Sequence, residues 1–193
     1  MTEEKVFQRL NKFSVPQGFR GRHVVVVQLW WIVQATFFVL SPQFAYSWRA
    51  SLLRLFGAEV GVGTKIRPSV RITYPWKASI GDYCWIGDRA ELYNLTEIKI
   101  GKHVCISQDC YLASAGHDLN NISFGYTTGA IVIEDEAWLA SGVFVTEDVI
   151  IGKGAVAAAR SVILNNVDAG IVVAGHPARF VRVRNWSKKC QSR

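Results

Sequence analysis

A histidine in a polar segment is the residue of this chain best suited to acid–base chemistry. The segment 112–121 reads LASAGHDLNN and contains His117. An imidazole exchanges protons near neutral pH, so it can remove the proton of a hydroxyl group while that group attacks a carbonyl carbon. Such a reaction also needs hydrogen-bond donors for the developing oxyanion. His117 is therefore a candidate general base, and from the residues alone a loop histidine that makes structural hydrogen bonds stays an open alternative. Asp118 is too close in sequence to orient it.

The remaining histidines and the cysteines do not predict a metal site. A zinc site built from imidazoles alone needs three ligands, and no two histidines of this chain are five residues apart or otherwise close in sequence. The other histidines are His23, His103 and His176. The cysteines show no C-x2-C spacing and are expected to be reduced thiols in the cytosol. They are Cys84, Cys105, Cys110 and Cys190.

The elements that position His117 follow from a repeat. Aliphatic residues recur at intervals of six, with a step of eight after a third member, and a compact residue follows each of them four positions later. The members are Val60, Ile66, Ile72, Ile80, Ile86, Leu92, Ile100, Ile106, Leu112, Ile133, Leu139, Val145, Ile151, Ala157 and Ile163. This period fits neither a helix nor a simple strand alternation.

A short strand followed by a turn, three times per coil, accounts for the period of six. The sequence thus predicts a mainly β chain that folds as a triangular solenoid of about five coils over residues 58–180, with aliphatic side chains inside. Glycines near the start of several coils, such as Gly81 and Gly101, are predicted to supply unusual corner dihedrals. The repeat stops at 113–132, which is predicted to be one projecting loop that carries the active site.

The tandem repeat resembles the hexapeptide-repeat acyltransferases, whose fold is a left-handed parallel β-helix. The segments FSVPQGFRG, VQLWW, AIVIEDEAWLASGVFV and AGHPAR are similar to the acetyltransferases of colanic-acid-type exopolysaccharide clusters, which are related to the maltose, galactoside and nodulation acetyltransferases. The resemblance covers essentially the whole chain. It implies direct transfer of an acetyl group from acetyl-CoA, without a metal and without an acyl-enzyme.

The resemblance also implies roles for individual residues. His117 aligns with the family's general base, and the N–H of Ser141 is the candidate oxyanion donor. The coenzyme is expected to contact Trp138, Ala140, Ser141, Ala159, Pro177 and Arg179. We also expect a carbohydrate acceptor to be bound at an outward corner one coil below His117, by Glu91, Tyr93 and Asn94.

Three functions remain open at the level of the sequence. The first is O-acetylation of a sugar hydroxyl in an exopolysaccharide or surface-polysaccharide precursor. The second is N-acetylation of an amino sugar or nucleotide-linked amino sugar, which would use the same base and donor. The third is a non-catalytic solenoid that serves assembly. A three-sided prism packs naturally about a threefold axis, and the family places each site between subunits, so a homotrimer is expected.

The N-terminal part, residues 1–57, is predicted to be helical. No residue between His23 and Arg49 is charged, and Ser41–Pro42 is predicted to begin a second helix that ends at Gly57. Residues 24–56 either pack on protein, the favoured interpretation, or contact the inner face of the cytoplasmic membrane as a monotopic hairpin. The expected location is cytoplasmic.

The charge of the chain predicts anion binding. The chain has a formal net charge of +7 and a pI of about 9.4. Its cations are scattered apart from a basic tail at 181–193, which argues against a nucleic-acid partner and favours a phosphorylated cofactor or an acidic membrane surface.

Overall fold

The computed structural model of the protein describes residues 6–185. Their architecture is a three-sided, left-handed β-solenoid with two short helices at its N-terminal end, which confirms the predicted fold class. The stack has about six turns rather than five. The additional turn comes from Val167, which forms a bridge with Ile151, and from the strand that follows it.

Each side of the prism is one sheet whose strands come from successive coils, and the neighbouring strands are parallel except for the last pair of sheet B. Sheet A contains β1 (Glu59–Val60), β4 (Ala78–Ile80), β7 (Ile98–Ile100), β12 (Ile131–Ile133) and β15 (Ile150–Ile151). Sheet B contains β2 (Lys65–Ile66), β5 (Trp85–Ile86), β8 (Cys105–Ile106), β13 (Trp138–Leu139), β16 (Val156–Ala157), β18 (Ile171–Gly175) and β19 (Ala178–Val183). Sheet C contains β3 (Arg71–Ile72), β6 (Glu91–Tyr93), β9 (Tyr111–Ala113), β14 (Phe144–Val145) and β17 (Val162–Ile163). The strands β10 (Ala115–His117) and β11 (Tyr126–Thr128) form a separate antiparallel hairpin.

The predicted aliphatic positions line the inside of the prism. Each two- or three-residue strand turns one such side chain inward, and the parallel register places it on its counterpart in the next coil. In sheet C, for example, Ile72, Leu92 and Leu112 form one buried column. The period of six therefore generates three columns of side chains, and their burial supplies most of the apolar contact in the core.

The glycines at the starts of coils have a different role from the predicted one. Gly81 and Gly101 do not have a positive φ; the left-handed residues come two positions later, at Tyr83 and His103. A Cβ atom on Gly81 would lie 2.6 Å from the carbonyl oxygen of Gly101. The glycines are needed because successive coils approach closely at this corner, and the unusual dihedrals belong to other residues.

The N-terminal helices differ from the predicted pair. Helix α1 spans Val24–Val33 and continues as a π-helical turn, Gln34–Phe38, and α2 spans Tyr46–Leu55. Ser41 does not cap the second helix, because its hydroxyl donates to the carbonyl of Phe38 and so closes the preceding turn. No helix among residues 6–185 is long and apolar enough to cross a membrane.

This helical hairpin, which we call the cap, binds the open edge of the first coil. Each of the three edge strands accepts a side-chain hydrogen bond from it. The indole N–H of Trp30 donates to the carbonyl of Ile72 in β3 (2.8 Å), and Arg49 and Arg54 donate to the carbonyls of Ile66 in β2 (2.6 Å) and Val60 in β1 (2.9 Å). In addition, Gln34 accepts from the amide of Ile72. The cap thus protects edges that would otherwise be free to pair with another chain.

The C-terminal end is closed by an antiparallel strand. β19 turns back along β18 and extends to Val183, beyond the boundary predicted at residue 180. The guanidinium of Arg184 then donates to the carbonyls of Glu136 and Gly154. Residues 186–193, with Cys190 and most of the predicted basic tail, lie outside the described residues.

Arg49 is the best test of the cap. Its side chain is fully buried and donates to Ile66, to the Ser41 hydroxyl and to the carbonyls of Pro42 and Gln43. Arg49→Met keeps the apolar stem but leaves these acceptors without a donor, so we expect the free energy of unfolding to fall by roughly 3 kcal/mol. Urea titration at fixed protein concentration measures the change.

The matched control is Arg71→Met, which alters an exposed arginine and should change the free energy of unfolding by less than about 0.5 kcal/mol. Equal effects of the two substitutions would contradict the role assigned to Arg49.

Candidate active site

The interruption of the repeat is a β-hairpin at one corner of the prism. β10 and β11 pair with Ala115 opposite Thr128 and His117 opposite Tyr126. The chain leaves sheet C after β9 and enters sheet A at β12, so the hairpin lies at the corner between these two sheets, here called the C–A corner. His117 is the last residue of β10, half-buried at the base of the turn.

The hydrogen bond of His117 determines which ring nitrogen can act as a base. Nδ1 lies 2.8 Å from the carbonyl oxygen of Phe124. A carbonyl oxygen only accepts hydrogen bonds, so Nδ1 must carry the proton and donate it. In the neutral ring Nε2 then has the free lone pair, and we find no partner for it among residues 6–185. The hairpin therefore presents an imidazole whose Nε2 can accept a proton.

Aromatic rings fix the plane of the imidazole. Phe124 stacks on His117 with ring centroids 4.2 Å apart, and Tyr126 lies 4.9 Å away at a shallow angle. Phe13 approaches the histidine edge-on at 5.9 Å. Rings on several sides restrict rotation of the histidine, so the direction in which Nε2 points is set before any ligand binds.

The N-terminal segment lies over this hairpin. The amide of Arg9 donates to the carbonyl of Ile122 at 2.7 Å, and Phe19 stacks on Tyr126 at 4.8 Å. The ammonium of Lys77 donates to the carbonyl of Phe19 at 2.6 Å, which joins the segment to the second coil. Burial lowers the pKa of this ammonium. The hairpin is thus enclosed by residues remote in sequence.

Residues predicted to bind the coenzyme gather at another corner. Trp138 lies on sheet B and is 45% exposed, and Ala140 and Ser141 follow it at the corner between sheets B and C, the B–C corner. Ala159 occupies the same corner one coil further along. Pro177 is exposed in the turn between β18 and β19, and Arg179 is exposed near the start of β19, at the far end of sheet B.

The turn that contains Ser141 leaves its amide unused. The amide of Val143 donates to the carbonyl of Ala140 at 3.3 Å, and Gly142 has φ +70, as in a type II β-turn. Ser141 is the second residue of this turn, and no acceptor for its N–H is found in the part of the chain that the structure describes.

Ala159 has the equivalent place in the next coil. The amide of Ser161 donates to the carbonyl of Ala158 at 3.2 Å, and the amide of Ala159 likewise has no acceptor among the described residues. Successive coils are about 4.8 Å apart, so the B–C corner offers stacked amide donors beside small side chains. Such a column fits a ligand with several amide carbonyls along a thin chain.

The base and the amide donors are at different corners. One side of the prism contains about six residues, which corresponds to roughly 20 Å of extended chain. A single protomer therefore cannot bring His117 and Ser141 to the same reacting group. A site that uses both needs the B–C corner of a second copy.

Comparison with known proteins identifies the family. No family model matches the chain. Over 177 residues the chain is 52% identical to WcaF of Escherichia coli K12, which has the provisional name of colanic acid biosynthesis acetyltransferase, and the alignment covers 92% of this chain and 97% of that protein. The chain belongs to the hexapeptide-repeat acetyltransferases. It is an acyltransferase, as the sequence predicts.

Two further comparisons agree with this family. The galactoside O-acetyltransferase of E. coli K12 is 26% identical to this acetyltransferase over 145 residues, which cover 71% of this chain and 69% of the relative. The solved structure of a hexapeptide-repeat acetyltransferase from Vibrio cholerae, complexed with acetyl coenzyme A, superposes with a TM-score of 0.76 at 25% identity, over 83% of this chain and 88% of that one.

One predicted acceptor residue of the acetyltransferase is structural. Asn94 is fully buried, its side-chain oxygen accepts from the amide of Tyr74 at 2.9 Å, and its side-chain nitrogen donates to the carbonyl of Tyr74 at 2.6 Å. It cannot bind a sugar while it makes both bonds, so its predicted role is corrected. Asn94 follows the inward-facing Leu92 by two residues, and strand alternation was the signal that placed it inside.

Glu91 and Tyr93 are both half-buried, on the outer side of β6. The ring of Tyr93 stacks on Tyr111, which in turn stacks on Phe144 two coils above β6. The rings of Tyr93, Tyr111 and Phe144 form a row on the outer side of sheet C, the sheet that the chain leaves to form the His117 hairpin. Their role as acceptor ligands stays a prediction.

Sequence reasoning missed Glu147, which lies at the C–A corner one coil beyond the hairpin. Its carboxylate accepts from the hydroxyl of Thr127 at 3.0 Å. A Cβ on Gly116 would lie 2.8 Å from the same carboxylate oxygen. Gly116 therefore gives the hairpin room to approach Glu147, and no local motif indicates this contact.

The cysteines of the described residues do not offer a thiolate. Burial raises the pKa of the Cys110 thiol to about 11, and it also raises the pKa of Cys84 and Cys105. A thiol that stays protonated near neutral pH is a weak nucleophile. This chemistry agrees with acyl transfer that does not pass through a cysteine.

Asn94→Leu separates the structural role of Asn94 from acceptor binding. The substitution removes both bonds to buried backbone groups, so we expect the free energy of unfolding to fall by about 1–3 kcal/mol while KM for the acceptor is unchanged in the folded enzyme. Urea unfolding and steady-state kinetics at low temperature measure the two effects. A rise in KM at unaltered stability would restore Asn94 to the acceptor site.

Proposed function

We propose that this acetyltransferase transfers the acetyl group of acetyl-CoA to a sugar hydroxyl of an exopolysaccharide or surface-polysaccharide precursor, with His117 as the general base. The observation that carries the proposal is the free Nε2 of an imidazole that the Phe124 carbonyl and three aromatic rings hold in one orientation. The polysaccharide context comes from the 52% identical relative, whose name places it in colanic acid biosynthesis.

In the proposed step one proton passes from the acceptor hydroxyl to His117 and then to the departing sulfur. Nε2 of His117 takes the hydroxyl proton while the hydroxyl oxygen attacks the thioester carbonyl. The tetrahedral oxyanion collapses, the carbon–sulfur bond breaks, and the departing sulfur receives the proton from the imidazolium, which gives the acetyl ester and free coenzyme A. The imidazole returns to its starting state with Nδ1 still bonded to Phe124.

The second part of the site is supplied by a neighbouring protomer. The amides of Ser141 and Ala159 have no acceptor among residues 6–185, and their corner is too far from His117 of the same copy. A trimer whose threefold axis runs parallel to the three prisms would bring the B–C corner of one copy to the C–A corner of the next. In this arrangement the Ser141 amide stabilises the oxyanion, while Trp138, Ala140 and Ala159 contact the pantetheine arm and Pro177 and Arg179 contact the nucleotide end.

Replacement of His117 tests the function directly. In an assay of acetyl-CoA consumption with nucleotide sugars, free sugars and lipid-linked oligosaccharides as acceptors, His117→Ala and His117→Asn should both lower kcat/KM by roughly 10²–10⁴-fold. The asparagine retains a donor for the Phe124 carbonyl, so it separates basicity from support of the hairpin. Coenzyme A affinity and thermal stability should stay near those of the wild type. Retention of activity by His117→Asn would exclude His117 as the base.

Ser141 permits a test of the backbone donor. Proline is favoured at the second position of a type II turn, so Ser141→Pro removes the N–H without a conflict with the turn. We expect kcat to fall by about 10²–10³-fold, as for loss of one oxyanion donor, whereas Ser141→Ala, which keeps the N–H, should stay near wild type. Equal activities of the two variants would eliminate the Ser141 amide as a donor.

The same variant tests whether the site is shared. Light scattering should give the mass of a trimer. Co-refolding His117→Asn with Ser141→Pro in equal amounts should restore about a quarter of the wild-type activity, because an intact His117 then meets an intact Ser141 at about one interface in four. No recovery in confirmed mixed trimers would show that each site lies within one protomer.

A further inference from the structure

We propose that the outward surface of the cap is a docking surface for a lipid bilayer. The surface, here called the outer cap face, comprises the exposed apolar side chains of residues 24–48 that do not adjoin the solenoid. They are Val24, Val25, Leu29, Ile32, Phe37, Leu40, Phe44 and Trp48. Leu40 and Phe44, at the connection between the helical segments, are 80% and 82% exposed.

The outer cap face lies opposite the face that binds the solenoid. In α1 the buried side chains are Val27 and Trp30, and a helix turns by about 100° per residue, so Val25, Leu29 and Ile32 fall on the reverse side. Side chains on the inner face already bind the edge strands of the first coil. An apolar patch of this extent on a soluble surface indicates a further partner.

The outer cap face carries no charge. No charged residue occurs between His23 and Arg49, and the Arg49 guanidinium is turned inward and fully buried. The exposed polar side chains of this stretch, such as Gln28 and Gln43, are neutral. A surface that packs on a soluble partner usually has a polar rim, whereas a surface that enters lipid excludes charge.

Backbone carbonyls in and beside the π-helical turn accept hydrogen bonds from side chains of the cap. The hydroxyl of Thr36 donates to the carbonyl of Ile32 at 2.7 Å, and the indole of Trp48 donates to the carbonyl of Phe37 at 3.0 Å. The Ser41 hydroxyl likewise donates to the carbonyl of Phe38. Groups that need no water can be buried in lipid at little cost, because no hydrogen bond is lost there.

Positive charge surrounds this surface in the sequence. Residues 5–58 contain seven lysines and arginines and no acidic residue, so this segment alone has a charge of +7, equal to that of the whole chain. Arg20 and Arg22 lie at the point where the chain enters α1. Cations beside an apolar surface are attracted to the anionic headgroups of a membrane. The rest of the chain has equal numbers of positive and negative side chains, so it has no such attraction.

A second copy does not suit the outer cap face. The cap lies at the end of the prism, so protomers that associate side by side through the sheets leave its axial surface uncovered. An end-to-end pair would bring together two segments that contain exposed arginines, such as Arg22 and Arg54, and no acidic residue. Helix α1 is also too short to span a bilayer, since ten residues extend about 15 Å. The geometry corresponds to helices that lie in the headgroup region.

The cap is joined to the active-site hairpin. Val27 of α1 is buried in a cluster with Tyr74, Leu95 and Ala115, against which Tyr126 of β11 packs. The hairpin emerges from the third coil, roughly 10 Å along the prism from the first. A bilayer under the cap would therefore hold His117 close to the headgroups.

Flotation with vesicles tests the proposal on the full-length protein. We expect the wild type to float with vesicles of phosphatidylcholine and phosphatidylglycerol, and less with phosphatidylcholine alone. Leu40→Glu/Phe44→Glu changes two exposed side chains outside the core, so it should fold as the wild type while its affinity for the vesicles falls at least about tenfold.

The matched control is Leu164→Glu/Phe180→Glu, which adds the same charges to exposed residues at the other end of the prism and should float like the wild type. The proposal is overturned if the wild type stays unbound with both vesicle types, or if the two double variants bind equally well, which would leave the cations as the sole attraction. It is also overturned if light scattering shows that Leu40→Glu/Phe44→Glu halves the mass of the wild-type particle, because a second copy is then the occupant.

Discussion

Hydrogen bonding between successive coils is the constraint on which the rest of this structure depends. The amide of Trp85 donates to the carbonyl of Val104 one coil further on, and the amide of Cys105 donates in turn to Ala137. Every coil must therefore have nearly the same path as its neighbours, and its inward side chains must stack in columns. Additional residues can leave the path only at a corner, which is where the segment with His117 emerges.

The same constraint leaves the stack with two open ends. A terminal coil has no neighbour for the polar groups on its outer edge, and unpaired groups of this kind are costly when buried and liable to pair with other chains when exposed. At the N-terminal end, side chains of the cap form hydrogen bonds with these polar groups. Gln34 and Arg49, which interrupt an otherwise apolar segment, bind the edges of β3 and β2. Their polar groups bind the inner surface, and the outer surface carries apolar and neutral polar side chains without a charge.

Flat sides and separate corners also determine how a site can be built. The solenoid positions backbone amides with high regularity, because each turn at the B–C corner repeats the one before it. Its sides are regular sheets, and the candidate base lies on the hairpin, at a different corner from these amides. Rigid support for this hairpin comes from Phe13, Phe19 and Glu147, which join it to the N-terminal segment and the fourth coil.

The sequence by itself determined the solenoid, the inward positions and the corner from which the hairpin projects. These follow from a period of six, which is a property of neighbouring residues and needs no knowledge of distant contacts. The sequence predicted one coil too few, because in the last turn the spacing departs from six and a bridge at Val167 replaces a regular strand. The identification of His117 as the candidate base also rested on local sequence.

Only the tertiary structure decided the features that depend on contacts between distant residues. The Phe124 carbonyl selects the tautomer of His117, and Phe13, remote in sequence, fixes its ring from another side. Asn94 turned inward to bond Tyr74, which is in the preceding coil. The second helix began at Tyr46 rather than Ser41, because Ser41 and Arg49 are engaged with the turn between the helices. The partners of Ser41 and His117 lie only three and seven residues away, but the turns that bring each pair together form only in the folded structure. For Asn94, strand alternation predicts the inward side, and only the fold supplies Tyr74 as its partner.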